Sequence, residues 1–325
     1  MGSRDFSGGN THGLDEDERG RERTLDDAHR RAGRLAGDLH AGRGGIRRGA
    51  VCAQPEAAGA GHCIFTLTHA EQYLALPCAP LEEILPGRTT GRDLIGEVAE
   101  GLTREGIRFI AYYNHSCNGG DDPAWKAACG YAAGEKGNLD AFAGRIADIV
   151  RFIAGRYGKS LAGWWFDSGY SVDPTGPHNA VSCEMGGWRF PWDRLIAAAK
   201  SGHADCAVAI NAGVGSRHLY APGTDYYAGE CTRLDEPFSP EAVPGLIDHR
   251  WVCADNPAWV FSRPEDGFSR PRFADDELAR FLQANRQAGR MTTLNLEIDR
   301  SGRVNPYSLE QLARVREGLT EKTRF

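Results

Sequence analysis

Apolar residues along the chain alternate between short continuous runs and longer stretches with helical spacing. HCIFTLT at 62–68 is a short apolar run rich in β-forming residues, which is typical of a buried strand. GRDLIGEVAEGLTREG at 91–106 follows with helical spacing and ends on a glycine. The same succession of strand and helix continues to the C-terminus. It predicts strands near residues 63, 107, 161, 206, 225, 251 and 291.

Strands that alternate with helices form βαβ units and a parallel sheet. We therefore predict an α/β fold of the (β/α)8-like parallel barrel type over residues 61–325, with an incomplete or irregular first strand. Seven predicted strands are one short of eight, and the missing first strand would have to precede residue 61. No G-x-G-x-x-G follows a strand and no P-loop occurs, which disfavours a dinucleotide-binding sheet.

The N-terminal segment differs from the rest of the chain. Residues 1–50 contain ten Arg, nine Asp or Glu, eleven Gly and a single aromatic residue, Phe6. Such a composition buries too little apolar surface to fold alone, so residues 1–60 are predicted to be a poorly ordered leader. A misassigned start is the alternative. The segment shows no signal-peptide pattern, which favours a cytoplasmic location.

Charge and composition narrow the partners. The net charge of −6 gives no electrostatic reason to expect nucleic acid, and no apolar stretch is long enough to cross a membrane. Nine cysteines include no C-x-x-C, and no Cys/His grouping has zinc-finger spacing, so no metal or cofactor is predicted.

Polar side chains follow the predicted strands at the ends where a barrel places its catalytic groups. A polar residue after a strand is also common for structural reasons, which leaves capping open for each of these positions. Asp167 stands apart because it directly follows Trp164, Trp165 and Phe166. An ionised carboxylate beside an aromatic wall needs hydrogen bonds or a catalytic role. Aromatic rings next to carboxylates, amides and imidazoles suit a carbohydrate site. The candidates are His69, Asn114, Asp167, Asn211, Glu230 and Trp251.

At WWFDSGY (164–170) the sequence resembles the family 29 glycoside hydrolases, the α-L-fucosidases. The nucleophile strand of that family reads W-F-D-G, which matches residues 165–168. Its pattern T-x-K-H-H-D-G-F resembles TLTHAEQY (66–73), and R-D-[LIV]-[LIV]-G-E resembles RDLIGE (92–97). G-[LIV]-[RK]-F-x-x-Y-Y resembles GIRFIAYYN (106–114), and the C-terminal pattern resembles TTLNLEIDRSGRVNP (292–306). The ordered set of motifs runs over about 62–318.

The resemblance implies a retaining exo-glycosidase of the α-L-fucosidase type on a (β/α)8-like barrel, with a fucosylated or related glycan as its substrate. It implies that Asp167 is the nucleophile and Glu230 the acid/base. It also implies that the sugar pocket includes His69, Tyr113 and Trp165. With the polar and aromatic candidates above, the predicted substrate-binding residues are His69, Tyr113, Asn114, Trp165, Asn211 and Trp251.

The chain departs from the family pattern at the sugar pocket. Ala70 replaces the second His of the paired-His motif, and Gly213 stands where the family has an Arg. The first-strand motif F-G-x-F-I-H-W-G is not found. Two alternatives therefore stay open: a degenerate barrel that binds glycans without cleaving them, and a retaining glycosidase for a different sugar. A metal-dependent hydrolase would draw on His62, His69, His115 and Asp167, but no H-x-H or H-E-x-x-H occurs.

Overall fold

The structure is a computed structural model that describes residues 54–55, 58–115, 122–131, 139–169, 190–213, 222–235, 245–256, 267–299 and 301–322. Almost all of the predicted leader lies outside these residues, so its division from the barrel stays a prediction. Gln54 belongs to the described part, and its side-chain amide contacts the C-terminal region. It donates to the carbonyl of Gly302 and accepts from the amide of Val304.

The described strands match the seven runs predicted from the sequence. They are β1 (His62–Thr68), β2 (Arg108–Asn114), β3 (Leu161–Asp167), β4 (Ala207–Ile210), β5 (Glu230–Cys231), β6 (His249–Cys253) and β7 (Met291–Asn295). The fifth strand is shorter than predicted. Of the segment 225–230 only Glu230 belongs to it, and Tyr226 makes an isolated bridge to Ile247 instead.

Helices lie between the strands and after the last one, and the two short helices at 79–84 and 123–129 have no counterpart in the sequence prediction. The helices are α1 (Ala79–Ile84), α2 (Leu94–Arg104), α3 (Pro123–Cys129), α4 (Leu139–Tyr157), α5 (Trp192–Ala199), α6 (Asp275–Gln287) and α7 (Pro306–Lys322). Helix α2 begins at the N-cap Asp93, whose side chain accepts from the amide of Gly96 at 2.7 Å. No helix in the described part of the chain is long and apolar enough to cross a membrane.

The strands form two parallel sheets, one in the order β1-β2-β3-β4 and one in the order β5-β6-β7. The prediction of an α/β fold with parallel strands is confirmed. Within the described residues the two sheets are not joined into one closed barrel, because neither β4 and β5 nor β7 and β1 pair as strands. Contacts outside the strand pairing link the sheets instead, and two of them lie at the open edges. Asp225 donates its amide to the carbonyl of Val208 at 2.8 Å, and His62 contacts Thr293.

Strand β3 separates the apolar core into two parts. Trp164 and Phe166 pack with the helices in the larger cluster, and Trp165 packs with side chains of the neighbouring strands in the smaller one. Successive strand residues point to opposite faces, which predicted this division. The indole nitrogen of Trp164 donates to the carbonyl of Ala199 at the end of α5. The helices cover the face of the sheet that carries Trp164 and Phe166, which we call the outer face. The polar groups at the strand ends gather on the opposite, inner face.

Two histidines and a threonine connect the edges of the two sheets. His62 Nε2 and His249 Nε2 each lie 2.8 Å from the hydroxyl of Thr293, and His249 Nδ1 lies 3.1 Å from the carbonyl of Tyr227. A carbonyl only accepts, so His249 carries its proton on Nδ1 and accepts from the hydroxyl at Nε2. The hydroxyl oxygen of Thr293 then accepts from Nε2–H of His62. We call these three residues the His–Thr–His cluster.

Both imidazoles of this cluster are neutral in the folded protein. Burial, reinforced by Arg108, lowers the pKa of His62 to about 4. Burial, reinforced by His62, lowers the pKa of His249 to about 3. The unfolded chain, in which a histidine has a pKa of about 6.5, therefore binds more protons than the folded chain below that pH. The stability that depends on the neutral pair is complete above about pH 6.5 and is lost as the pH falls towards the folded values.

We predict that the free energy of unfolding falls between pH 6.5 and 4.5, with about 2 kcal/mol of the loss due to the fully buried His249. Urea titrations across this range measure the slope. His249→Gln removes one titrating group and should flatten it, whereas His203→Gln replaces a histidine outside the cluster and should leave it unchanged. Equal slopes for all three proteins would contradict the prediction.

Candidate active site

Four polar residues meet at the C-terminal ends of β2, β3 and β4 and at the start of β5. Asn114 is paired with Asp167 at the ends of β2 and β3. Asn211 follows β4, and its backbone N–H donates to the carbonyl of Phe166 at 2.7 Å. Glu230 opens the short strand β5. The parallel register alone therefore brings two amides and a carboxylate, predicted separately from the sequence, to one edge of the sheet.

Asp167 accepts hydrogen bonds from four groups. The hydroxyl of Tyr112 donates to Oδ2, and Asn114 Nδ2 lies 3.4 Å from the same oxygen. The amide of Ser168 and Nδ2 of Asn211 donate to Oδ1 at 2.8 Å and 3.1 Å. Both oxygens of the carboxylate therefore have donors, as a partly buried polar group requires. The hydrogen bonds that a carboxylate needs beside aromatic side chains are therefore present at Asp167.

Asn211 joins the two candidate catalytic carboxylates. Its Nδ2 lies 3.1 Å from Asp167 Oδ1 and 2.7 Å from Glu230 Oε2. Both contacts involve the same nitrogen, so the distance between Asp167 Oδ1 and Glu230 Oε2 cannot exceed the sum of these two distances. The carbonyl oxygen of Asn211 accepts from the amide of Gly213 at 3.1 Å, which turns the NH₂ group towards the carboxylates.

Glu230 reaches this position because the chain before it packs very close to β6. Gly229 has φ of 72°, and a Cβ atom built on it would lie 2.1 Å from the carbonyl oxygen of His249. Only glycine fits such an approach without displacing the neighbouring backbone. Glu230 then pairs with Trp251 in β6. The glycine before the glutamate thus sets where the carboxylate enters the site.

An aromatic layer lies on the face that carries Asp167. The ring of Trp165 is stacked on Tyr112 at 5.2 Å and meets Trp251 edge to face at 4.3 Å. The indole nitrogen of Trp165 donates to the carbonyl of Ala228. Trp165 and Trp251 are 2% and 8% exposed. They therefore form a packed base below the polar groups, and little of either ring is exposed.

His69 extends this layer towards β1. Its imidazole lies over Tyr112 with the ring centroids 6.0 Å apart and the planes 8° from parallel. Ala70, where the resembled family has a second histidine, is buried and offers no polar group. The structure therefore gathers five of the six predicted substrate-binding residues around Asp167: His69, Asn114, Trp165, Asn211 and Trp251.

Tyr113 is the exception, and its assignment to the sugar pocket is corrected. Its side chain is completely buried in the outer core, near Trp164 and Phe166, and its hydroxyl donates to Oε1 of Gln72 at 3.3 Å. The adjacent Tyr112 points to the inner face and donates to Asp167. Strand alternation could have shown this, because Tyr112 and Asn114 are two residues apart and must share a face.

The residues proposed for a metal site are not gathered in one place. His62 belongs to the His–Thr–His cluster at the start of β1. His115 is fully buried beside Phe190 and Trp192, and burial lowers its pKa to about 4 although Asp167 opposes the shift. Among the described residues, no group of three or more His, Cys, Asp or Glu is placed to hold a metal ion.

Two backbone conformations agree with the family motifs quoted above. In the described part of the chain, Gln72 and Ser168 are the non-glycine residues with positive φ, at 55° and 64°. Both stand where the resembled motifs read glycine, in H-H-D-G-F and W-F-D-G. Glycine adopts this left-handed conformation without steric cost. The chain therefore keeps the backbone shape that these motifs require while replacing the residue that usually supplies it.

No protein-family model matches the chain, and no curated protein matches its sequence. Solved structures do match. The endo-fucoidan hydrolase P5AFcnA from glycoside hydrolase family 107 is similar over 86% of this chain and 87% of its own, with 14% identity and a TM-score of 0.62. The α-L-fucosidase AlfC from Lactobacillus casei is similar over 86% of this chain and 81% of its own, with 18% identity and a TM-score of 0.58.

A second family 107 enzyme, the endo-fucoidan hydrolase MfFcnA4, matches over 86% of this chain at 15% identity and a TM-score of 0.61, and this chain spans 50% of its length. At such low identities the likeness is one of fold. The chain therefore shares the fold of glycoside hydrolases from family 107 and of an α-L-fucosidase.

Proposed function

We propose that this protein is a retaining glycoside hydrolase that removes a terminal L-fucose or related sugar from a glycan. The observation that carries the proposal is the placement of Asp167 and Glu230 on either side of the amide of Asn211. The largest separation that these contacts allow between Asp167 Oδ1 and Glu230 Oε2 is close to the ~5–5.5 Å of retaining enzymes and below the ~6.5–9.5 Å of inverting ones. The fold that the chain shares with fucose-acting hydrolases supports the choice of sugar.

In the proposed first step, Asp167 attacks the anomeric carbon while Glu230 protonates the oxygen of the leaving group. The C–O bond to the leaving group breaks and a covalent glycosyl–enzyme ester forms. In the second step Glu230 takes a proton from water, which attacks the same carbon and releases Asp167. The sugar keeps its anomeric configuration because it is inverted twice. The proposed chemistry uses only these side chains and requires no metal ion or organic cofactor.

The surroundings of Asp167 fit the role of nucleophile. Tyr112 and the amides of Ser168 and Asn211 stabilise its negative charge before the attack. Asn211 is neutral and donates to both carboxylates, which allows two acidic groups to stand close together. Of the groups around Asp167, Glu230 is the carboxylate that a shared hydrogen bond places next to it. This supports Glu230 as the acid/base. The alternative acidic candidates from the sequence are Glu71, in the loop after β1, and Glu184, which lies outside the described residues.

A second candidate is endo-acting cleavage inside a fucose-containing polysaccharide. Two features favour it. The matching structures include endo-fucoidan hydrolases. Ala70 and Gly213 also remove two side chains that would contact one terminal sugar in the resembled α-L-fucosidases. Product size separates the candidates, since an exo-enzyme releases monosaccharide from the start and an endo-enzyme first releases oligosaccharides.

We predict that Asp167→Ala and Glu230→Ala each lower kcat for an aryl α-L-fucoside by at least about 100-fold, and that azide rescues them with opposite stereochemistry. Azide should replace the missing nucleophile of Asp167→Ala and give the inverted glycosyl azide. With Glu230→Ala, azide should attack the glycosyl–enzyme and give the retained product. NMR of the products distinguishes the two.

Glu71→Ala is the matched control, because Glu71 is also an acidic residue from a strand-end loop. It should leave kcat within about twofold and show no azide product. Retained azide from Glu71→Ala, with none from Glu230→Ala, would transfer the acid/base role to Glu71. An inactive wild-type protein across a panel of aryl glycosides and polysaccharides would support the glycan-binding alternative.

We also predict that Asn211→Ala lowers kcat by about 10- to 100-fold, because the variant loses the donor that contacts both Asp167 and Glu230. The matched control is Asn305→Ala, since Asn305 also bridges two carboxylates, Asp255 and Glu297, at 3.1 Å and 3.3 Å. That variant should lose stability and keep kcat within about threefold. A wild-type kcat in Asn211→Ala would remove its proposed role.

Finally, we predict weak binding of L-fucose and its mimics. Ala70 and Gly213 each withdraw a hydrogen-bonding side chain, and an unpaired sugar hydroxyl costs about 1–3 kcal/mol. Calorimetry with an L-fucose-configured iminosugar should give micromolar or weaker binding, and Ala70→His should tighten it. Nanomolar binding by the wild-type protein would show that other residues replace the missing contacts.

A further inference from the structure

Two buried polar residues beside Asp167 adopt a backbone conformation that L-amino acids avoid. Gln72 has φ of 55° and is 1% exposed, and Ser168 has φ of 64° and is 0% exposed. Left-handed conformations of non-glycine residues are disfavoured by sterics, and they persist where the surrounding structure holds them. Glycine would satisfy the backbone at both positions. The contacts of the two side chains therefore have to explain why glutamine and serine, rather than glycine, occupy these positions.

Ser168 controls the orientation of the Asn114 amide. Its hydroxyl donates to Oδ1 of Asn114 at 2.7 Å. An asparagine amide has an accepting oxygen on one side and a donating nitrogen on the other. Holding Oδ1 on the hydroxyl of Ser168 turns Nδ2 of Asn114 towards Oδ2 of Asp167. A rotated amide would present its oxygen to the carboxylate and repel it.

Gln72 joins the loop after β1 to the end of β2. Its side-chain Nε2 donates to the backbone carbonyls of His69 and Asn114, both at 2.8 Å. Its Oε1 accepts from the hydroxyl of Tyr113 at 3.3 Å. A single amide thus fixes the backbone of two residues of the candidate site from the side of the outer core, where Tyr113 lies.

We infer that Gln72 and Ser168 are positioning residues for the reaction and together form a strand-end clamp. Gln72 fixes the backbone of Asn114, and Ser168 fixes its side chain, so that the amide donates to Asp167 throughout the reaction. The inference rests on the proposed function, because it assigns to the clamp an effect on the nucleophile. Neither side chain needs to touch the substrate.

A purely structural role predicts a different outcome. If the hydroxyl of Ser168 only stabilised the fold, activity would follow stability from one variant to the next. The clamp predicts that they separate. Ser168→Gly and Ser168→Ala both lose the hydroxyl, but only the glycine variant relieves the positive φ. The two variants should therefore differ in melting temperature and agree in their catalytic defect.

The experiment measures melting temperature, kcat and KM for wild type, Ser168→Gly, Ser168→Ala and the control Ser201→Ala. We expect Ser168→Gly to melt at a higher temperature than Ser168→Ala, while both lose about 10- to 100-fold in kcat with KM within about threefold. Ser201→Ala loses a hydroxyl that donates to a helix-end carbonyl and should keep wild-type kcat. A wild-type kcat in Ser168→Gly would overturn the inference.

A second measurement is independent of turnover. In the wild-type protein the side-chain NH₂ of Asn114 should show slow hydrogen exchange by NMR, and in Ser168→Gly and Gln72→Gly its exchange should be faster. Unchanged exchange in both variants would overturn the clamp even if the enzyme is active. If the wild-type protein cleaves no glycoside, the proposed function fails, and this measurement still decides whether the clamp holds Asn114.

Discussion

The site depends on one amide group that serves two acids. Asn211 donates from the same nitrogen to Asp167 and Glu230, and its own orientation is set by the amide of Gly213. The neutral amide bridges the two side chains, so that one oxygen of each lies within hydrogen-bond distance of the same nitrogen. The same two bonds tie the ends of β3 and β4 to the start of β5.

A second pair of neighbouring carboxylates is also bridged by an asparagine, but its role is structural. Asp255 and Glu297 are both 2% exposed and are bridged by Asn305. Asp255 also accepts from the hydroxyl of Ser308 near the start of α7, and Glu297 from the amide of Ser269. Burial raises the pKa of Asp255, and Glu297 adds to the effect. This pair is enclosed and tied to a helix, whereas Asp167 and Glu230 remain partly exposed at the strand ends.

Rigidity at the strand ends is supplied from behind the site. The aromatic layer of Tyr112, Trp165 and Trp251 supports the polar groups from below, and the strand-end clamp holds Asn114 from the side of the outer core. Buried hydrogen bonds in such a position restrict the movement of the groups they hold. Ala70 and Gly213, which stand where the resembled family has a His and an Arg, are both buried. The chain thus holds Asp167 firmly but lacks two polar side chains of the resembled motifs.

The sequence by itself determined the strands and the helices of eight residues or more, because these depend on local patterns. Alternation in GWWFD separated Trp164 from Trp165, and the resemblance to the family motifs singled out Asp167 and Glu230 as candidates. The same alternation applied to IAYYN would have selected Tyr112, yet the motif match led to Tyr113. Only the tertiary structure decided that Asn211 lies between Asp167 and Glu230, since that distance joins strands separated by 44 and 19 residues in the chain. It also decided that Gln72 reaches Asn114 across 42 residues, because a hydrogen bond between distant segments leaves no periodic signal in the sequence.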